Sequence, residues 1–279
     1  MGIAAHGAKV ADLPSMTMNI DLRNGLVEVQ GGLPTFASPG LEDRAAAIGP
    51  IASDSYEYLV SLLGFRPDAQ VMVVSEADWP RVCETPVYGL PNASNGTLVI
   101  AGTEAPLWAS FADMVQPDDR AEFETVYGSA DGSIRLGPFM DLIAVHEVAH
   151  VFHEGTQHFP RLWLQELFAN LCLHAWVANR APRDLAILTT LPRLGGKAPP
   201  GSWAHSSRDD FERLYTDVGG PNYVWYQFRL QVEAGALYDR GGPAVVRRLF
   251  DAFRLDDATL AGRLSEEVDP GLAEFSLAF

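Results

Sequence analysis

The alternation of apolar and polar residues predicts short strands in the first part of the chain. Within residues 16–30, apolar and polar residues alternate on both sides of Asn24-Gly25, a strong tight-turn pair, and this pattern predicts a hairpin. The uninterrupted apolar runs at 71–74 and 97–101 have the length of buried strands. We therefore expect a small β-sheet in this part of the chain.

Helical spacing of apolar residues dominates the rest of the sequence. Residues 41–63 carry an apolar stripe at intervals of three and four, interrupted or kinked at Gly49-Pro50 because proline cannot donate to a helical hydrogen bond. We interpret the polar, Gly-rich residues 117–137 and the Pro/Gly-rich residues 192–205 as connections, although the second stretch also suits a lid. Other predicted helices span 105–115, 139–154, 160–179, 208–217 with a capping box at Ser207, 222–238, a segment opened by Pro243, and about 256–268.

The candidate chemistry begins with the sequence HEVAH at residues 146–150, which matches the pattern H-E-x-x-H. Helical residues four apart lie about 40° apart in rotation and about 6 Å apart in rise, so His146 and His150 can reach one metal ion. His150 and His153 form an alternative pair, but only the first pair has a glutamate directly after its first histidine. Glu147 lies to the side of the ligands, where a carboxylate can take a proton from a metal-bound water.

A carboxylate in the next predicted helix supplies a third candidate ligand. Glu166 lies in the otherwise apolar stretch WLQELFAN, at residues 163–170. An unpaired carboxylate on an apolar helix face is costly, and a metal ion is one partner that removes this cost. Together, His146, His150 and Glu166 form the two-histidine, one-carboxylate set of catalytic zinc sites, which leave a fourth position open.

The two segments HEVAH and WLQELFAN together resemble the gluzincin metallopeptidases, the clan of thermolysin and the zinc aminopeptidases. The resemblance covers residues 139–175 and implies that His146, His150 and Glu166 bind Zn²⁺ and that Glu147 is the general base. It further implies a peptide or protein substrate. Gln165 stands where the aminopeptidases usually have asparagine, so the resemblance is to the clan rather than to that subfamily.

The resemblance also implies an α+β, thermolysin-like zincin fold. We expect an α/β lobe with a small mixed sheet at residues 1–154, ending in the HExxH helix, and an all-helical lobe at 155–279 that carries the third ligand. In this fold an edge strand above the metal pairs with the substrate backbone, and Thr97–Gly102 is the candidate strand. An interior strand without a substrate role is the competing interpretation. Glu104 resembles the glutamate that holds the substrate amine in aminopeptidases.

Amide hydrolysis also needs a donor for the oxyanion, and gluzincins use a downstream tyrosine or histidine. Tyr223 is the first candidate, Tyr226 the second and His205 the third, although aromatic residues at helix starts also serve packing alone. Asn170 shares a helix face with Glu166. We interpret it either as an acceptor for a ligand histidine or as an ordinary polar contact. We interpret His153 and His158 as solvent-facing or structural, with lining of the cleft as the alternative, and His174 as structural.

Composition narrows the class of partner. The 279 residues carry a net charge of −16, and Lys9 and Lys197 are the only lysines, which argues against nucleic acid or an anionic membrane as a partner. The sequence contains neither an apolar run that would span a bilayer nor a visible signal peptide, so we expect a cytoplasmic protein, with a secreted mature form as the alternative. Cys83 and Cys172 are far apart in sequence, and we interpret both as ordinary buried or part-exposed thiols, with a disulfide as the alternative.

The sequence therefore predicts a zinc-dependent metallopeptidase and leaves two other functions open. A catalytically silent relative would keep the fold, or even the zinc, as a scaffold for binding. Alternatively, the same zinc site would hydrolyse a non-peptide bond, as an epoxide hydrolase related to the zinc aminopeptidases does. A purely structural zinc is disfavoured, because structural sites usually have a fourth protein ligand.

Overall fold

A computed structural model describes residues 22–83, 85–154, 161–255, 259–272 and 275. The described strands are β1 (Val27–Val29), β2 (Thr35–Ala37), β3 (Gln70–Val74), β4 (Asn92–Ser94) and β5 (Thr97–Ala101). The described α-helices are α1 (Glu42–Leu63), α2 (Trp79–Val82), α3 (Pro106–Ala112), α4 (Arg120–Tyr127), α5 (Gly137–Glu154), α6 (Leu162–Arg180), α7 (Leu185–Gly195), α8 (Arg208–Leu214), α9 (Gly220–Gly241), α10 (Ala244–Asp251) and α11 (Leu260–Arg263). The expected α+β class, with a small mixed sheet and predominantly helical structure, is confirmed.

The five strands form one sheet in the order β1-β2-β3-β5-β4. β2, β3 and β5 run parallel, and β1 and β4 are antiparallel strands at the two edges. After their first residues, Gln70 and Thr97, β3 and β5 are apolar and buried on both faces, as is typical of parallel strands. Helices α1 and α5 both contact this sheet and also pack against each other.

The sheet order corrects the prediction for the substrate-binding strand. Thr97–Gly102 was expected at an edge, but β5 lies between β3 and β4 and has neighbours on both sides. The strand at the edge next to β5 is β4, whose residues carry no apolar run. Its residues pair with β5 through Ala93 opposite Leu98, and α5 packs against it. β4 therefore occupies the edge position that was expected for β5.

The predicted hairpin at 16–30 is only partly within the described residues. Its second strand exists as β1, which pairs with β2 through Glu28 opposite Phe36. Its first strand falls in residues 1–21, outside the described part of the chain. The turn predicted at 155–159 also lies outside the described residues.

Three differences from the predicted helices have physical causes in packing. α1 runs through Gly49-Pro50 without interruption, and the fully buried Ile48 and Ala52 beside this pair stabilise the helix against the missing hydrogen bond. The expected connection 117–137 contains α4, which Phe123 and Tyr127 anchor in the core. The expected loop 192–205 begins inside α7, which continues through Pro192 and packs against α9.

Helix α6 lies at the centre of the helical part of the molecule. It packs against α5, α7, α8, α9 and α10, and its residues from Leu167 to Ala175 are all buried. A helix that is buried on every side places any polar side chain it carries in the interior. None of the described helices is long and apolar enough to cross a membrane. The division of the chain at residue 154 stays a prediction.

Ser207 is the N-cap of α8 and provides a test of the local structure. Its hydroxyl accepts a hydrogen bond from the backbone N–H of Asp210 at 3.1 Å, as the capping pattern predicted. We expect Ser207→Ala to lower the free energy of unfolding by about 1 kcal/mol, because the helix loses this acceptor, and Ser207→Asp to retain stability. Denaturant unfolding measures the change, with Ser206→Ala as the control. Equal stability of the two alanine variants would contradict the assigned cap.

Candidate metal centre

Helix α5 presents His146 and His150 on one side because they are four residues apart. Val145, Val148 and Ala149 are fully buried and hold the rest of this turn in the core. His146 is only 7% exposed. The two rings are close enough that the Nε2 atoms lie 2.9 Å apart. The histidines predicted as ligands therefore point their nitrogen atoms at a common place.

Glu166, from α6, completes this cluster. Its Oε2 lies 3.2 Å from Nε2 of His146 and 3.7 Å from Nε2 of His150. One ligand atom from each of the three residues lies within 4.8 Å of the others. Atoms bound to zinc at about 2.0–2.1 Å in a tetrahedron are about 3.3 Å apart, so the observed separations fit one ion. Two imidazole nitrogens and a carboxylate oxygen are also a donor set typical of zinc.

The charges in this cluster depend on one another. Burial alone would raise the pKa of Glu166, but the imidazoles of His150 and His146 and the hydrogen bond from Tyr215 outweigh burial and hold this pKa well below its usual range. Burial lowers the pKa of His150 to about 4. Burial also opposes a charge on His146, but its hydrogen bond to Glu166 and the charges of Glu166 and Glu147 raise its pKa above the ordinary value. An anionic Glu166 therefore attracts a cation to this place.

Glu147 is close to the cluster but is not one of its three members. Its side chain lines the same cavity as the two histidines and is 6% exposed. Burial is the main cause that raises the pKa of Glu147 to about 7. A carboxylate with this pKa can both accept and return a proton near neutral pH.

Two residues that the sequence reading missed hold the carboxylate of Glu166. The hydroxyl of Tyr215 donates to Oε1 at 2.6 Å, and the amide of Gln227 donates to Oε2 at 2.7 Å. Tyr215 has φ 48° and ψ −114°, a conformation that a residue with a Cβ rarely adopts. Gln227 lies one helical turn after Tyr223. This polar residue at helical spacing from a candidate site residue could have indicated its role from the sequence. The sequence carried no comparable signal for Tyr215.

Of the three candidates for an oxyanion donor, only Tyr223 reaches the cluster. Its hydroxyl accepts a hydrogen bond from Gln227 at 2.9 Å and lies 3.5 Å from the hydroxyl of Tyr215. Burial raises the pKa of Tyr223 well above its ordinary value, so the phenol keeps its proton. Tyr226 donates to the backbone oxygen of Ser207 instead, and neither Tyr226 nor His205 lines the cavity. The structure therefore does not bring Tyr226 to the His–His–Glu cluster.

Other polar residues have the following positions. Asn170 donates to the backbone oxygen of Glu166 at 2.9 Å, and its side chain contributes to the raised pKa of His146. Asn170 also donates to the side-chain oxygen of Gln227 at 3.0 Å.

His153 is not a surface residue: it is 6% exposed, and its Nε2 contacts Nδ1 of His150. Glu104 is exposed and does not line the cavity, so its resemblance to an amine-binding glutamate has no structural support.

The cluster opens into a cavity of about 320 Å³. Asn92 and Ala93 of the edge strand β4 line it, which brings a strand edge close to the His–His–Glu cluster. No lysine or arginine is among the described residues that line it.

Comparisons of the chain with protein-family models, curated proteins and solved structures found no match.

Metal analysis of purified variants tests this site. We expect the protein to bind one zinc ion per chain after dialysis, and Glu166→Gln and His146→Ala to lose it, because each removes one of three protein ligands. His205→Gln, outside the cluster, is the matched control and keeps the ion. Elemental analysis of the dialysed proteins measures the stoichiometry. Full zinc occupancy in Glu166→Gln would exclude this carboxylate from the site.

Proposed function

We propose that this protein is a zinc-dependent metallopeptidase that hydrolyses peptide bonds with Glu147 as the general base. The observation that carries the proposal is the buried cluster of His146, His150 and Glu166, which lies beside a second, separate carboxylate. His146, His150 and Glu166 would hold a zinc ion, which would act as a Lewis acid and lower the pKa of a water to about 7. The thermolysin-like fold and the gluzincin relationship belong to this proposal.

Glu147 moves the proton in this mechanism. It lines the cavity beside the cluster, and burial raises its pKa to about 7. The carboxylate takes a proton from the attacking water and gives it to the nitrogen of the departing amine. A group whose pKa is near the operating pH can perform both steps, so the burial of Glu147 contributes to its function as well as to the structure.

Two tyrosines have separate roles in the proposal. The hydroxyl of Tyr215 is committed to Glu166, so it orients a metal ligand. Tyr223 receives a hydrogen bond from Gln227 and donates a long one, of 3.5 Å, to the hydroxyl of Tyr215. Rotation of the Tyr223 O–H away from this weak contact would give its proton to the oxyanion of the substrate. Both hydroxyls keep their protons, because burial raises the pKa of each well above its ordinary value.

Strand β4 provides a place for an extended peptide. In the described sheet it is paired with β5 on one side, and no other strand pairs with its second side. Asn92 and Ala93 line the cavity that contains the cluster. Free backbone groups on a strand edge bind extended peptides through main-chain hydrogen bonds. This edge favours a peptide substrate over the small non-peptide substrates that the same metal chemistry would also hydrolyse.

The role of Glu147 is tested by Glu147→Gln. We expect this variant to retain one zinc ion but to lose at least about 10²-fold in kcat, because the amide cannot accept the proton. Cleavage of a peptide library, read by mass spectrometry, identifies a substrate for the kinetics. Glu154→Gln, at the end of the same helix, is the control and keeps activity. Wild-type activity in Glu147→Gln would remove this residue from the mechanism.

Three matched Tyr→Phe variants distinguish the proposed roles of Tyr215 and Tyr223. We expect Tyr223→Phe to lower kcat about 10²–10³-fold with zinc affinity unchanged, because it removes an oxyanion donor. Tyr215→Phe should instead weaken zinc binding about 10–100-fold, because it removes a bond to a ligand. Tyr226→Phe serves as the control and retains both properties. Zinc competition with a chromophoric chelator measures affinity, and equal kinetic losses in Tyr223→Phe and Tyr226→Phe would contradict the assignment.

A further inference from the structure

One part of the cavity lining lies outside the His–His–Glu cluster and is apolar. We call this part the apolar arm and define it by Phe111, Phe139, Ile143, Pro192, Val224 and Phe228. Ile143 and Phe139 precede Glu147 on α5 by about one and two helical turns, so the arm follows α5 towards its N-terminus. The rings of Phe111 and Phe228 meet edge to face, with centroids 6.4 Å apart.

Gln231 is the polar exception among the residues of α9 that line this arm. It lies one helical turn, about 6 Å, beyond Gln227, which contacts Glu166. The contacts between α6 and α9 move along both helices towards their C-termini. Asn170 pairs with Gln227, and His174, four residues later, pairs with Gln231. Gln231 therefore lies further from the cluster than Gln227 does, beside the aromatic wall of the arm.

The side-chain oxygen of Gln231 accepts no hydrogen bond within the described part of the chain. The side chain is 4% exposed, and its nitrogen is directed at Nδ1 of His174 at 3.5 Å. Its Oε1 is buried and has no hydrogen-bond partner among the described residues. A buried carbonyl oxygen without a donor is unfavourable, and native structures rarely leave one unpaired. Gln231 lines the cavity, but neighbouring atoms cover its Oε1 in the present rotamer. Rotation about the last side-chain torsion, which has a broad energy profile, would turn Oε1 towards a donor on a bound molecule.

The surroundings define what kind of donor fits. Aromatic and aliphatic walls favour a large, flat, apolar group. Among the residues that the structure describes, the lining contains no lysine or arginine to pair with an acidic group, and Glu147 and Glu166 would repel one. Gln231 is neutral and offers no counter-charge to a cationic tip. A phenol or an indole satisfies all these conditions, because each combines an apolar body with one neutral hydrogen-bond donor.

We propose that the apolar arm is a specificity pocket for a tyrosine or tryptophan side chain of the substrate, whose O–H or N–H donates to Oε1 of Gln231. This substrate preference rests on the proposed peptidase function, but the pocket itself can be tested without catalysis. Gln231 is then a specificity-determining residue that distinguishes tyrosine from phenylalanine, two side chains of nearly equal shape. A pocket built to accept a hydroxyl discriminates against the analogue that lacks it, since its acceptor stays unpaired.

Matched peptides test the preference in the zinc-loaded enzyme. The two peptides differ only by Tyr or Phe beside the cleaved bond, and we expect the wild type to favour Tyr about tenfold in kcat/KM. Gln231→Leu should bring this ratio close to one by losing activity on Tyr rather than on Phe. Val232→Ala, on the exposed side of the same helix, should keep the wild-type ratio. A wild-type ratio near one would overturn the proposal.

A binding experiment separates the pocket from the peptidase activity. Ligand-observed NMR compares 4-methylphenol with toluene, and we expect the phenol to bind about tenfold more tightly to the wild type but not to Gln231→Leu. Such binding without cleavage of any peptide would support the pocket and count against the peptidase. Peptide cleavage combined with equal or tighter binding of toluene would refute the pocket and leave the peptidase standing. Phenol binding that Gln231→Leu does not weaken would also refute the pocket.

Discussion

The structure depends on how one buried carboxylate is compensated. Glu166 is 2% exposed and lies in a helix that is surrounded by other helices. A charge in such a place is retained only if nearby groups replace the water that it loses. Here two imidazoles, a phenol and an amide surround the carboxylate. Removing this compensation from a buried ion typically costs about 3–5 kcal/mol, so the neighbours of Glu166 are under a strong physical constraint.

This constraint connects elements that are distant in sequence. Helix α5 contributes the imidazoles, α6 contributes the carboxylate, and α9 contributes Gln227 together with the nearby Tyr223. Tyr215 follows α8 and adopts its unfavourable backbone conformation where its hydroxyl meets Glu166. Strain of this kind costs about 1–3 kcal/mol and persists when surrounding contacts determine the conformation. The same polar network includes Asn170, which donates to the backbone oxygen of Glu166 and to the side chain of Gln227.

The sequence predicted the parts of this arrangement that depend on local spacing. A four-residue interval places His146 and His150 together, and an apolar helix that carries Glu166 indicates a buried carboxylate. The parts that depend on tertiary contacts were not predictable from the sequence. Strand β4 is held by its pairing with β5 rather than by an apolar run, and α4 by two aromatic anchors. Tyr215 reaches Glu166 across 49 positions of the chain, a contact that no local pattern encodes.

The most direct test of the account is an anomalous difference map from crystals of the zinc-loaded protein, recorded on both sides of the zinc absorption edge. The account predicts a single strong peak within about 2.0–2.2 Å of Nε2 of His146, Nε2 of His150 and a carboxylate oxygen of Glu166. A map without a peak at this position, or with the zinc bound only elsewhere on the chain, would contradict it.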